Sequence, residues 1–357
     1  LKSCEKEAII FCNGDNDTFP LWYNIEVEEE RNDVRACNLS YLQTDWYISQ
    51  MKRPYYNSPA LPISWEYEDF MPGKNEVVWV ENRLNAPLEV KKAFQFLHST
   101  DPRTKRDGEG YIPTDQLYVL SPDSQKINFK KARRFTRSEM MVMEMLSTNQ
   151  WKRPIYFAVT IGDDYHLGLN PYLELTGMAY RITPERSADG KPRVNTEVMY
   201  DNMLNKFKYG NINIPGIYID ENTMRMCRTH RMMFCQLAEA LYDEGKYDQA
   251  LKVLDFAEEM LPGFNVPYDY TSASMASLYY AMDQIEKGND IMIDVAENCK
   301  EYMEWGATLE PQLRKSAQST IGHYTAVLGF VLNNLQRFEQ NELFDKYFDI
   351  YSRYASR

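Results

Sequence analysis

The run Ala8-Ile9-Ile10-Phe11-Cys12 leads straight into Asn13-Gly14-Asp15-Asn16-Asp17-Thr18-Phe19-Pro20-Leu21-Trp22-Tyr23, and this junction restricts the folds open to the chain. Five consecutive apolar residues suit a strand covered on both faces rather than a half-solvated one. The loop that follows is dense in carboxylates and amides, and Pro20 opens an amphipathic segment expected to be helical over Leu21–Arg31. In α/β sheets, ligands bind where such polar loops leave the carboxyl ends of buried strands.

The same alternation continues to about residue 161. Strands are expected at Ala8–Cys12, Val34–Leu39, Glu76–Val80, Gln116–Leu120 and Pro154–Thr160, with helices at Leu21–Arg31, Thr44–Met51, Leu88–Leu97 and Ser138–Asn149. Thr44 and Ser138 are suitable N-caps. The expected architecture is therefore a Rossmann-like, mostly parallel three-layer α/β domain over residues 1–161. Two stretches interrupt it: Lys52–Lys74, with prolines at 54, 59, 62 and 72 and many aromatics, and Ser99–Pro113. Loops of that length in a compact domain bind something or move.

Residues 162–225 are expected to be an irregular extension packing on that domain. From 226 to 357 the text turns helical. Arg231–Phe264 carries Phe234, Leu237, Ala238, Leu241, Gly245, Tyr247, Ala250, Leu254, Ala257 and Pro262 at the spacings of a tetratricopeptide (TPR) repeat. A degenerate copy places Ala276, Tyr279 and Gly288 at the positions of Ala238, Leu241 and Ala250. A third helical pair, roughly 312–335 and 338–354, reads as a terminal cap, so a short TPR-like helical array is expected.

Bulk composition removes some functions. A net charge of -12 argues against nucleic acid as a partner, since a basic footprint is required there. No apolar run approaches the roughly 18–20 residues that cross a bilayer. The chain opens on Leu1-Lys2-Ser3-Cys4 with no signal peptide, which reads as a segment of something longer. Cysteines at 4, 12, 37, 227, 235 and 299 form no CxxC pair, and buried thiols are the preferred reading.

Candidate ligand-binding residues lie in two loops. Asn13, Asp15, Asn16 and Asp17 offer a hydrogen-bonding or hard-cation site for a sugar or polar headgroup. They equally suit a strand-to-helix turn in which Asx side chains satisfy loop amides and Asp17 or Thr18 caps the helix. An EF-hand is excluded, because Thr18 stands where that loop needs Gly and Asn24 where it needs Glu. The stretch Asn38-Leu39-Ser40-Tyr41-Leu42-Gln43-Thr44-Asp45-Trp46-Tyr47 has the same form. If the two strands are parallel neighbours, Tyr41, Asp45 and Trp46 join the same rim; Asp45 equally suits a first-turn carboxylate favoured by the helix dipole, and Trp46 a core anchor. Asp163-Asp164-Tyr165-His166 follows the last strand, again at a carboxyl end, where it either completes a site or, on the preferred reading, forms an exposed acidic turn. No zinc spacing, G-x-G-x-x-G or P-loop is present, so no cofactor and no metal is expected, and no catalytic residue is assigned.

These loops, with Asp33-Val34-Arg35, Trp151-Lys152-Arg153-Pro154-Ile155-Tyr156-Phe157 and Tyr172-Leu173-Glu174-Leu175-Thr176-Gly177-Met178-Ala179-Tyr180-Arg181, resemble a family of polytopic membrane proteins common in Bacteroidetes. That family was first defined only as a domain of unknown function and is grouped with the GT-C type protein O-mannosyltransferases, including a vertebrate relative with TPR repeats. The chain resembles the soluble C-terminal region of such proteins across nearly its whole length.

The resemblance implies an extracytoplasmic accessory domain of a membrane-bound glycosyltransferase, on the periplasmic side of an inner membrane. Its partners would be the upstream transmembrane module of the same polypeptide and an acceptor protein or lipid-linked sugar. The catalytic carboxylate of GT-C enzymes lies between early membrane spans, so this segment alone is expected to be inactive as a transferase. Two alternatives stay open: a protein-interaction scaffold with no ligand site, and a free-standing enzyme using Asp15, Asp17 and Asp45 as acid/base groups or metal ligands.

Overall fold

In the computed structural model, residues 1–354 are described, and they form two compact units, Leu1–Asn202 and a second beginning at Met203. The first unit is α/β with mixed sheets, and the second is all-helical. Among the described residues, no helix is long and apolar enough to cross a membrane.

The first unit begins with β1 (Ile9–Cys12), α1 (Asp15–Glu26), β2 (Arg35–Asn38) and α2 (Asp45–Met51). There follow β3 (Val77–Trp79), α3 (Val90–His98), β4 (Leu117–Leu120), β5 (Lys126–Asn128), β6 (Arg134–Thr136) and α4 (Arg137–Asn149). The unit's last strands are β7 (Ile155–Ala158), β8 (Leu173–Leu175), β9 (Ala179–Ile182) and β10 (Arg193–Val194). The main sheet has the order β10-β8-β9-β7-β1-β2. Strand β1 lies between β7 and β2 and is parallel to both, with Ile9 opposite Ile155 on one side and Arg35 on the other. Every residue of β1, β2 and β7 is buried, as expected of parallel strands covered on both faces.

Two expected strands lie outside this sheet. Strand β3 pairs antiparallel with β6, and β4 joins Leu88–Glu89 and β5 in a separate three-stranded sheet. Their burial explains the difference. In β3 only Val78 is buried while Val77 and Trp79 are exposed, which is the period-2 pattern of a one-sided ribbon. The expected irregular segment after residue 161 supplies β8 and β9, which extend the main sheet antiparallel from β7. These strands are short and separated by turns, so their periodicity is weak in the sequence. Helix α4 is capped by Thr136 with Glu139 in a reciprocal capping box, two residues before Ser138.

The irregular stretch between α2 and β3 is not loose. Leu61, Ile63, Trp65 and Phe70 are buried in the common core. Three arginines satisfy the carbonyls that this stretch and its flanks leave without ladder partners. Arg35 Nη2 donates to the Gln50 and Arg53 carbonyls at 3.1 and 3.3 Å. Arg137 donates to the carbonyls of Gln43, Met71 and Lys74. Arg153 reaches the carbonyls of Glu7, Pro59 and Ala60 and the Ser58 hydroxyl. Burial and the nearby Arg35 guanidinium push the Arg153 pKa down to about 10, which still leaves it charged at neutral pH.

The N-terminal segment is held the same way. The Arg31 guanidinium donates to the carbonyls of Leu1, Cys4 and Glu5 and pairs with Asp33 at 2.9 Å. Asp33 also accepts from the Glu7 amide at 2.8 Å. All six cysteines are free and buried. Burial pushes the Cys12 thiol up to about 12, so it is an inert core side chain.

In the second unit, α5 (Glu221–Asp243), α6 (Tyr247–Met260), α7 (Tyr270–Ala281), α8 (Ile285–Thr308), α9 (Pro311–Arg337) and α10 (Asn341–Tyr354) follow one another through short turns, apart from a longer connection between α6 and α7. Ala238, Ala250, Ala257 and Ala276 are fully buried or nearly so, letting helices approach closely. A side chain at Gly288 would strike the Tyr280 ring, so that ring of α7 packs directly against the main chain of α8. Positions 355–357 of the expected helical domain lie outside the described residues.

Two predictions follow from the clamps. Arg153→Met strips several carbonyls of their donor and is expected to cost about 1–3 kcal/mol, with Arg153→Lys recovering part of it. Urea unfolding followed by tryptophan fluorescence measures this, since Trp22, Trp46, Trp65, Trp79 and Trp151 all lie in the first unit. A loss below about 1 kcal/mol would mean that water replaces the guanidinium. The Arg31 guanidinium, followed by the Glu7 amide, holds the Asp33 carboxyl down at about 2 against an ordinary 3.8. Because the folded value is depressed, its contribution is complete above pH ~4 and is lost as pH falls toward ~2. Asp33→Asn should therefore destabilise the protein at pH 7 and make little difference near pH 2, as read from parallel melts.

Candidate functional site

The first motif begins where β1 ends. Gly14 adopts φ +82°, a conformation that favours glycine, and this single residue turns the strand directly into α1 at Asp15. The helix therefore starts six residues earlier than expected, and Pro20 lies inside it rather than at its opening. Helix α1 also stops early, at Glu26, and Glu29 and Arg31 take left-handed conformations beyond it. Asp15 and Asp17 occupy the first turn, where the helix dipole favours negative charge. Neither Asp17 nor Thr18 caps the helix. Instead, the Thr18 hydroxyl donates back to the Gly14 carbonyl at 2.8 Å.

Strands β1 and β2 are parallel neighbours, so the second motif does emerge beside the first. Several of the polar groups then pair across the two motifs, and others bond to side chains outside them. Asn13 accepts from the Ser40 hydroxyl at 2.6 Å, and Asn38 donates to the Thr18 hydroxyl at 2.7 Å while accepting from the Tyr41 amide at 3.0 Å. Asp17 accepts from Thr160, beyond the end of β7, at 2.5 Å. Asp45 accepts from the Tyr67 hydroxyl at 3.1 Å. Asp15 and Asn16 are exposed, and their side chains have no partner among the described residues. No group of His, Cys, Asp and Glu among the described residues is arranged to hold a metal ion.

The acidic turn after β7 contributes little to this rim. Asp163 and Asp164 are exposed, whereas His166 is buried against Phe157 and Tyr180 with Nδ1 2.9 Å from Asn170. Burial lowers the His166 pKa, so it is a neutral core residue at pH 7.

The aromatics of the two motifs form a continuous chain. Trp22 stacks on Tyr41 with ring centres 6.1 Å apart, and Tyr41 meets Trp46 at 6.0 Å and Tyr47 at 5.6 Å. Phe19 extends the chain beyond Trp22. Trp46 is 55% exposed. Beside these rings lies a cleft of about 240 Å³ between α1 and α2, along the outer edge of β2. Helix α1 contributes Trp22, Ile25 and Glu26, and α2 contributes Trp46, Tyr47, Gln50 and Met51. Val34, Arg35 and Ala36 line its floor, and Tyr55 borders it. Arg35 is only 4% exposed, lies over the Tyr55 ring at 5.2 Å and has an Nη1 with no hydrogen-bond partner. The Glu26 carboxylate accepts from the Tyr55 and Tyr56 hydroxyls at 2.8 Å each.

A family model described as TMEM260-associated domain 2 matches residues 1–132 and 119–199, more than half of the chain. The chain belongs to this family. The matched region contains both motifs, the sheet they leave and the cleft between their helices. No curated protein and no solved structure matches the chain.

In this TMEM260-associated domain, the two loops differ in what they leave available. Asn13, Asp17 and Asp45 are engaged with neighbouring side chains. Tyr41 and Trp46 belong to the aromatic wall. The sequence reading missed Trp22, Glu26, Arg35 and Tyr55 as candidates. Trp22 and Arg35 both stand inside quoted motifs, but nothing local signals that a helix face and a strand edge converge there. Substitutions in the first loop separate backbone from electrostatic roles. Gly14→Ala meets no steric obstacle, so backbone strain alone should cost about 1–3 kcal/mol. Asp15→Asn should cost less, at most several tenths of a kcal/mol. Thermal melts of the two variants test this, and an equal or larger loss in Asp15→Asn would give that carboxylate a role beyond the helix dipole.

Proposed function

We propose that this chain is the extracytoplasmic accessory domain of a membrane-bound GT-C type glycosyltransferase of the protein O-mannosyltransferase kind. On this reading, a Rossmann-like first unit and a TPR-like second unit serve a transferase module embedded in the membrane. The first unit holds the acceptor protein or the donor's sugar headgroup, and the helical array offers a surface to polypeptide. Membership of a family associated with TMEM260 supports the membrane connection.

The observation that carries the reading is the convergence of both motifs on one aromatic cleft, with Asn13–Ser40 and Asn38–Thr18 hydrogen bonds joining the two loops. Such a site suits recognition. General acid/base chemistry requires a group poised to move a proton at a reacting atom, whereas Asn13, Asp17 and Asp45 each accept a hydrogen bond from a neighbouring hydroxyl and Tyr41 and Trp46 are packed as rings. A scaffold role without a ligand is the second reading, and the self-paired motif network favours it to that extent.

The complete open reading frame and its product test the proposal. The gene should encode several apolar spans upstream of this segment. The full-length protein in membranes should transfer sugar from a lipid-linked donor to protein, and residues 1–357 alone should not. A reading frame without spans, or transferase activity in the isolated segment, would overturn it.

A further inference from the structure

We infer that the cleft between α1 and α2 binds a single neutral pyranose ring, stacked on Trp46 and Trp22 and hydrogen-bonded at the outer edge of β2. This deepens the accessory-domain reading and rests on it for its biological sense, although the binding itself can be measured separately.

The walls set the first requirement. Trp22 and Trp46 present indole surface from opposite helices, and Trp46 is more than half exposed even though it contacts Tyr41 and Tyr47. Large flat apolar faces beside solvent select a ligand that has flat apolar faces of its own.

The polar groups set the second requirement. Glu26 accepts, Gln50 both donates and accepts, and the strand edge adds a peptide group. Strand β2 is the end strand of the sheet, and the Arg35 and Leu39 amides donate inward to the Ala8 and Cys12 carbonyls. The alternation of a parallel ladder therefore turns the Ala36 and Asn38 peptide groups outward. The Asn38 amide is taken by the Tyr47 hydroxyl at 2.9 Å, while Ala36 lines the cleft. Beneath it, Arg35 Nη1 is buried without a partner, an unused donor of the kind that an entering acceptor satisfies.

Charge narrows the class further. Arg35 is only 4% exposed, with Nη2 committed to the Gln50 and Arg53 carbonyls and Nη1 left without a partner. The cleft therefore has no exposed cation among its lining groups to balance a phosphate, and its one lining carboxylate, Glu26, disfavours any anion. A polyhydroxylated ring with C–H faces and mixed donors and acceptors meets all these conditions. The cleft is smaller than the roughly 300–1,000 Å³ usual for drug-sized ligands, so it suits one ring rather than an extended chain.

Saturation-transfer difference NMR on the 357-residue chain tests this with methyl glucoside, methyl galactoside and methyl mannoside as probes, against sorbitol, choline and inorganic phosphate. At least one pyranoside should receive saturation on its ring C–H protons, and the three controls should not. The signal should fall several-fold in Trp46→Ala and in Trp22→Ala and persist in Asp15→Asn, with circular dichroism melts showing that each variant is folded. Because Trp46 is largely exposed, its substitution should leave the fold intact. No transfer to any pyranoside, transfer unchanged in folded Trp46→Ala, or equal transfer to choline or phosphate would each overturn the inference. A segment that binds a pyranoside but comes from a gene without membrane spans would retain the site and lose only the glycosyltransferase reading.

Discussion

Buried and half-buried guanidinium groups clamping main-chain carbonyls are the interaction on which the α/β unit depends. More than twenty residues between α2 and β3 run without regular secondary structure beyond the single turn Tyr67–Phe70, yet they place Leu61, Ile63, Trp65 and Phe70 in the core. A buried irregular backbone must still satisfy its carbonyls. Arg35, Arg137 and Arg153 do so, each spanning two or more chain segments with one planar group. Lysine carries a point charge on a flexible stem and cannot bridge several acceptors with the same geometry. The apolar residues of the stretch are buried because these donors let the backbone follow them.

The cleft inherits its shape from one of these clamps. Arg35 is a strand residue whose side chain ends at the C-terminal carbonyls of α2, so β2 and α2 are fixed to each other. On the other side, α1 is fixed to β1 through the Gly14 turn and to β2 through the Thr18–Asn38 hydrogen bond. Both helices are thus referenced to the same pair of strands. The polar residues of the two motifs act mainly as joinery between the strand ends, and the aromatic residues a turn further on face the space that this joinery defines.

This division explains what the sequence reveals and what it hides. The continuous apolar runs at β1 and β7 announce buried parallel strands, because no polar residue interrupts them. The alanine and glycine positions of the helical unit are legible because close packing permits only small residues there. Strands β3 and β4 also stand close to their expected positions, but membership of a sheet is decided by partners far along the chain, and a local pattern carries no such information. The start of α1 was obscured by Pro20, whose usual place is a first turn. Of the candidate residues, Asn13, Asp17, Tyr41, Asp45 and Trp46 gather around the strand ends because β1 and β2 are parallel neighbours. Arg35 looked like a charged residue in a short polar motif, and only the tertiary fold shows that it is buried beneath a cleft.

The end of the sheet adds a physical reason for the cleft to lie where it does. An end strand with outward peptide groups invites pairing with another chain, and folded proteins blunt such edges. Here, β2 is only four residues long, its Asn38 amide is occupied by the Tyr47 hydroxyl, and α1 and α2 overhang the remainder. Those measures leave too little edge for strand addition, yet they do not fill the space beside Ala36. Covering the edge with bulky rings rather than with a packed helix face therefore creates a small aromatic recess with main-chain hydrogen-bonding groups at its base. An extended polypeptide cannot use such a recess along its length, because the exposed edge is short and the Tyr47 hydroxyl already occupies the outward Asn38 amide. A compact ring can use it fully, which ties the selectivity of the cleft to the way this sheet terminates.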